Sequence, residues 1–254
     1  MRFFPLKIIL HLVFSLMASS AFGQDGSVLG MPALTSSIGE NGESTYSLSL
    51  QILVLMTVLT VVPSIVLGMT AFTRVIIVLS ILRQALGTQQ TPPNQVLIAI
   101  ALFITFYVMS PIFEVIYETA LNPYLEGTKS AQLALASATD LLKEFMVANT
   151  RSDTMNMFAE MAGEGPFETT QAIPLSIVLP SFITSELKTA FEIGFLIFLP
   201  FLVIDIVIAS ILMSLGMMML SPMLISLPFK LLLFVLVDGW AMTIGSLSST
   251  FVVG

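Results

Sequence analysis

Asp205 stands twelve residues before Met217, and Lys230 stands twelve residues after Met218. Both lie in apolar runs, the acid within residues 194–215 and the base within 224–240. Between the runs comes Gly216-Met217-Met218-Met219-Leu220, and a chain that folds back there brings the two charges to one depth. A charge inside an apolar run of this length is expensive, and such residues are usually paired or functional. One chemistry that fits is a proton or ion relay. The other is a buried pair that fixes the register of the hairpin, since ion pairs in low dielectric serve specificity more reliably than stability. An aspartyl protease dyad of Asp205 and Asp238 is disfavoured, because Leu236-Val237-Asp238-Gly239-Trp240 lacks the Gly-x-Gly-Asp pattern of intramembrane aspartyl proteases.

Met213, Met217, Met218, Met219 and Met223 fall within eleven residues. Three consecutive methionines cannot share one helix face, so Met217 to Met219 are expected in a loop. Methionine is unbranched and polarisable and fills irregular or changing gaps. The cluster therefore reads either as packing at a hairpin tip or as a soft apolar constriction that seals a pore and yields to cargo. Further charges enter apolar segments with no loop between: Glu186, Lys188 and Glu192 downstream of Pro180, and Arg74 and Arg83 in residues 71–86. Those near Pro180 read as snorkelling flanks or as groups buried in a subunit interface. Ser181 or Thr184 offers a cap for a helix starting there.

The composition sets the medium. Hydrophobic residues make up 56% of the 254 and charged residues 10%, with a mean hydropathy of +0.98. Soluble domains carry about 25% charged residues, so this is a polytopic membrane protein, and its apolar runs of span length give the expectation of an all-α fold. Arg2 and Lys7, the apolar stretch Ile8 to Met17, and Ala21-Phe22-Gly23 have the order of a signal peptide, expected to be cleaved before Gln24. The apolar stretch is short for a span, which needs about 20 residues. The single His, His11, lies within it, and the chain has no Cys. The mature chain then has neither residue, which removes Ser-His-Asp and Cys-His nucleophiles and ordinary zinc ligation. No enzyme, metal or cofactor is expected. Eleven of the sixteen acids fall between Glu114 and Glu192 against four bases, and no basic patch suits nucleic acid.

The elements that must position these residues follow from the apolar pattern. After the signal segment 1–23 comes a polar, flexible exported segment, 24–47. A first hydrophobic hairpin is expected over 48–121, with spans at 48–69 and 95–116, residues 71–86 between them, and a break at Pro92-Pro93. An acidic region, 122–172, carries helical periodicity at 130–148 and 151–161. A second hairpin, 173–254, consists of an amphipathic stretch 174–193, a span 194–215, the methionine turn and a return span from Leu224. Four spans with the N-terminus exported put Arg74 and Arg83 on the cytoplasmic side, as the positive-inside rule favours, and the acidic region outside. Pro63, Pro200, Pro222 and Pro228 sit in or beside the spans. Backbone broken at membrane depth needs protein or water around it, so the spans are expected to pack against other subunits.

Several segments resemble a known family. Pro180-Ser181-Phe182-Ile183-Thr184-Ser185-Glu186-Leu187, Phe191-Glu192-Ile193-Gly194-Phe195 and Pro200-Phe201-Leu202-Val203-Ile204-Asp205 are similar to the FliP family of flagellar biosynthetic proteins. So are residues 215–222, 227–231, 72–74, 82–87 and 92–95. The resemblance covers essentially the whole mature chain. It implies the core of a flagellar type III export gate in the bacterial inner membrane, at the flagellar basal body and with a substantial periplasmic-side portion. Several copies would assemble with FliQ and FliR into a closed helical cone, with FlhB and FlhA nearby and exported flagellar proteins passing through its centre. The acidic region would form the periplasmic-side rim. The family's pore gasket carries over to Met217, Met218 and Met219. Two rival functions remain: an ion-coupled transporter subunit that uses Asp205 and Lys230 directly, and the homologous gate of virulence type III secretion.

Overall fold

The computed structural model describes residues 27–28, 31–32, 34–38, 44–48, 50–88, 90–165, 167, 169–217 and 219–252. The expected signal segment, its His11 and the cleavage site before Gln24 lie outside the described residues. The chain divides into two compact units, Met1–Pro63 and Ser64–Gly254.

In the first unit, β1 (Ser27–Val28) pairs antiparallel with β2 (Met31–Pro32), and β3 (Leu34–Ile38) with β4 (Ser44–Leu48). The second pair runs in register from Leu34 opposite Leu48 to Ile38 opposite Ser44. These short strand pairs lie within the segment expected to be polar and flexible. Two-stranded ribbons are marginal alone in water, and their short polar strands leave little apolar alternation to read. Helix α1 (Leu50–Gly68) follows, with Pro63, the last residue of the first unit, inside it. Thr57 and Thr60 donate their hydroxyls to the carbonyls of Leu53 and Met56, which keeps these polar groups satisfied within an apolar helix.

Every regular element from Leu50 onward among the described residues is helical, in agreement with the all-α reading. In the second unit, α2 (Phe72–Leu86) buries Arg74, Val75, Val78, Leu79, Leu82, Ala85 and Leu86, the three- and four-residue spacing of one helix face. Gly87 ends α2 with a left-handed φ of 76° and donates its N–H to the Gln84 carbonyl, a stop for which glycine is suited. Helix α3 (Asn94–Ile116) buries Leu97, Ala101, Ile104, Thr105, Val108 and Met109. A π-helical turn, Tyr117–Leu121, and the short α4 (Asn122–Leu125) lead on to α5 (Ala131–Ala148) and α6 (Ser152–Ala162). The Ser130 hydroxyl caps α5 by accepting from the Leu133 N–H.

Helix α7 (Leu175–Ser214) is the axis of this unit, with α2, α5 and α6 packed on it. Its 40 residues run roughly 60 Å at 1.5 Å per residue, about twice the hydrocarbon thickness of a bilayer. Two stretches expected as separate, 174–193 and 194–215, are thus one helix. Gly194 does not break it, because the Ile81 side chain packs against that bare position. Nor do Ser181 and Thr184 cap it: both lie well inside, and the Ser181 hydroxyl donates to the Ile177 carbonyl. The return arm is also not one span. It is α8 (Pro222–Leu236) and α9 (Gly239–Ser249), bent by 64° at a break where Asp238 adopts φ 49°.

The main core joins Val75, Val78 and Leu79 of α2 to Leu97 and Met109 of α3, Phe145 and Met146 of α5, Val178, Phe182 and Ala190 of α7, and Leu247 and Phe251 at the chain's end. A second cluster holds Leu82, Ala85 and Leu86 against Phe201 and Phe234. Among the described residues, two helices are long and apolar enough to cross a membrane, Asn94–Leu125 and Leu175–Ser214, or up to four spans if each bent pair is one. The expected count of four thus requires bent pairs to serve as spans.

Candidate functional site

Helices α7 and α8 fold back on each other at residues 215–221. The turn is closed by Gly216, whose φ of 73° is left-handed, and by the Met217 N–H donating to the Leu212 carbonyl at 3.0 Å. Met217 and Met219 lie in this loop, outside both helices. Met219 is fully exposed, and Met217 is 42% exposed. Met218 lies outside the described residues. Met213 and Met223 flank the loop and are exposed as well. Among the described residues the tip thus presents the side chains of Met213, Met217, Met219 and Met223 outward.

Below the tip, the Lys230 Nζ donates to Asp205 Oδ2 at 2.6 Å and to the Ala85 carbonyl at 3.2 Å. The Ser226 hydroxyl donates to Asp205 Oδ1 at 2.6 Å. The pair forms within one chain. Lys230 is buried, whereas the Asp205 side chain keeps 31% exposure, so only one partner is sealed away. Ala85 lies in the last turn of α2, where carbonyls lack helical partners and the helix dipole favours a cation. Three helices thus meet on one ammonium group. Ser226 and the Ala85 carbonyl were not anticipated from the sequence. Ser226 precedes Lys230 by four residues, the spacing that puts both on one helix face, and that was the available signal. Nothing in the sequence pointed to the Ala85 carbonyl.

The other charges within apolar segments, Arg74, Arg83, Glu186, Lys188 and Glu192, which the family resemblance makes interface candidates, divide into three kinds. Arg74 and Glu186 do not face outward: they are 3% and 0% exposed and form an ion pair inside this chain. Arg74 Nε donates to Glu186 Oε2 at 3.0 Å, and Nη2 donates to Oε1. This fork-on-carboxylate geometry is the strong form of such a pair. It explains why Glu186 needs neither a neighbour nor the interface: its countercharge arrives from the first turn of α2, too distant in sequence to be read. Lys188 and Glu192 are exposed and hold α6 to α7, through Lys188 Nζ to Asp153 Oδ2 at 3.3 Å and Arg151 Nη1 to Glu192 Oε2 at 3.1 Å. The Lys188 ammonium and then the Thr154 N–H, both bonded to Asp153, hold its carboxyl below the usual carboxylate range, with the Lys188 and Arg151 charges adding to this. Arg83 has no carboxylate partner among the described residues. It donates to Asn94 Oδ1 at 2.7 Å and to the Pro92 carbonyl at 3.3 Å, tying the end of α2 to the start of α3.

Among the described residues no group of three or more His, Asp or Glu side chains is placed to hold a metal ion. What this arrangement can do is mechanical: a flexible apolar tip is carried on an arm whose register is locked by a charge pair.

The segments that build this hairpin also place the chain among known proteins. The sequence profile of the FliP family matches residues 55–247. The chain belongs to the FliP family. Similar proteins, each named flagellar biosynthetic protein FliP, occur in several bacteria. That of Cereibacter sphaeroides is 65% identical over 222 residues, covering 87% of this chain and 73% of the relative. That of Bacillus subtilis is 51% identical over 217 residues, 85% and 96% of the two chains. In Pectobacterium carotovorum the FliP protein is 48% identical over 235 residues, 92% and 89% of the two. The FliP match includes the methionine turn, the Asp205–Lys230 pair and the Arg74–Glu186 pair.

Proposed function

We propose that this chain is the pore-forming core subunit of the flagellar type III export gate. It passes unfolded flagellar proteins across the inner membrane for flagellum assembly. Membership of the FliP family supports the role. The observation that carries the mechanism is the locked hairpin that projects Met217 and Met219 into the open.

In this reading several copies surround one axis, and their methionine loops, Met218 included, meet there as a gasket. Apolar constrictions exclude ions by dewetting without holding cargo through hydrogen bonds, and thioether chains repack around different side chains at low strain. FliQ, FliR, FlhB and FlhA are the neighbours. The long exposed row of α7, which includes Phe191, Phe195, Leu196, Leu199, Val203 and Ile206, supports burial by protein as well as lipid, since the helix is twice as long as a bilayer's core is thick. The acidic region 122–172 forms the periplasmic-side rim, and residues 1–23 are removed as a signal peptide. The chain catalyses no reaction and needs no cofactor.

Native mass measurement of the detergent-extracted complex tests this. The expected result is several copies of this chain with FliR and FliQ. A stable single chain that transports ions alone would instead establish the transporter reading.

A further inference from the structure

Residues 250–252, which follow α9, are held by side chains of α2 and α5 and by Asn149. Arg74 Nη1 donates to both the carbonyl and the hydroxyl of Thr250, at 3.0 and 2.9 Å. Its guanidinium lies 3.9 Å from the centre of the Phe251 ring, and that ring stacks on Phe145 of α5 with centroids 6.4 Å apart. Asn149 brackets Val252, donating from Nδ2 to its carbonyl at 2.9 Å and accepting from its N–H at 3.0 Å. Phe251 is buried.

This tail is continuous with the arm that carries the methionine loop. Its helix α9 meets α8 at a packed corner, where the Phe234 ring lies edge-on to Trp240 with centroids 5.5 Å apart. A side chain at Gly239 would collide with that same ring. The α8–α9 arm is therefore gripped twice along α2: by Lys230 at the Ala85 end and by the tail at the Arg74 end. A stiff arm held at two points moves only when one of them lets go. The two grips differ in what release would leave behind. Parting Lys230 from Asp205 strands a buried charge, which is strongly unfavourable. Parting residues 250–252 from Arg74 does not, because Glu186 still neutralises the guanidinium and the groups that Thr250 and Phe251 set on it are uncharged.

We propose that residues 250–252 are a latch, seated on Arg74 and Asn149 while the methionine loop seals, and released when the loop opens. This rests on the reading of that loop as the seal.

The chain has no Cys, so introduced thiols are the only ones it carries. Asn149→Cys with Val252→Cys, in the assembled gate, is bridged by a short reducible cross-linker. Bridging is expected to lower secretion of flagellar proteins at least tenfold, to leave resting ion conductance unchanged, and to be reversed by reductant. Full bridging with normal secretion would overturn the latch, as would failure of the two thiols to bridge at all. Should the double variant not accumulate, hydrogen exchange at the Val252 amide of the unsubstituted gate decides. Exchange is expected at least tenfold faster with a stalled export substrate in the pore than in the idle gate, and equal protection overturns the proposal. Loss of the seal reading would show separately, as alanine substitution of the methionines without any leak.

Discussion

Lys230 reaches Asp205, Ser226 sits on the other oxygen of that carboxylate, and the Ala85 carbonyl completes the group. The asymmetry of this cluster makes a specific prediction. Reversing either charge alone, by Asp205→Lys or Lys230→Asp, sets like charges face to face. Removing one partner of a buried pair costs about 3–5 kcal/mol, so reversal is expected to abolish assembly, read as loss of the complex from native gels. The double swap is expected to restore assembly only in part, because it sets a carboxylate against the Ala85 carbonyl, where the ammonium had been a donor. Normal assembly of both single reversals would show that the contact is dispensable.

At the scale of elements, α7 shows what the sequence made legible and what it did not. The apolar pattern located both of its halves, the two charges at one depth around the turn, and the loop character of Met217 and Met219. It also placed α5 and α6 within a residue or two. Its continuity through Gly194 was hidden, because a glycine followed by an apolar run looks like a boundary unless Ile81 is known to fill the space. A Cβ at Gly194 would stand 3.0 Å from Ile81 Cγ2, so Gly194→Leu is expected to destabilise by about 1–3 kcal/mol and to lower the Tm in detergent. Gly245→Ala, with open space around the position, is expected to leave the Tm nearly unchanged, and equal shifts for the two would contradict this packing. Glu186, read as a snorkelling flank or an interface charge, is paired inside this chain for a related reason that the sequence hid: its partner, Arg74, lies 112 residues away.

The α6–α7 contact carries a pH prediction. Asp153 is held below its ordinary value, first by the hydrogen bond from Lys188. A depressed carboxylate stabilises fully above its unfolded value of about 3.9, and the contribution is lost as pH falls through the lower folded value. Amide protection of Ser152–Ala162 is therefore expected to hold at neutral pH and to drop below about pH 4. Asp153→Asn is expected to flatten that profile. A profile indifferent to this substitution would remove Asp153 from the tether. Because the groups are exposed, high salt is expected to weaken the effect.

For the molecule as a whole, the central claim is that a locked hairpin presents methionines that seal a shared pore. The measurement that tests it most directly is the ion conductance of membranes holding the assembled gate with Met217, Met218 and Met219 all changed to Ala. Alanine removes the flexible thioether chains while leaving the Asp205–Lys230 lock and the α7–α8 hairpin untouched. The predicted result is a gate that assembles with its normal mass and leaks small ions at rest. An assembled triple variant with the conductance of the unsubstituted gate would contradict the seal.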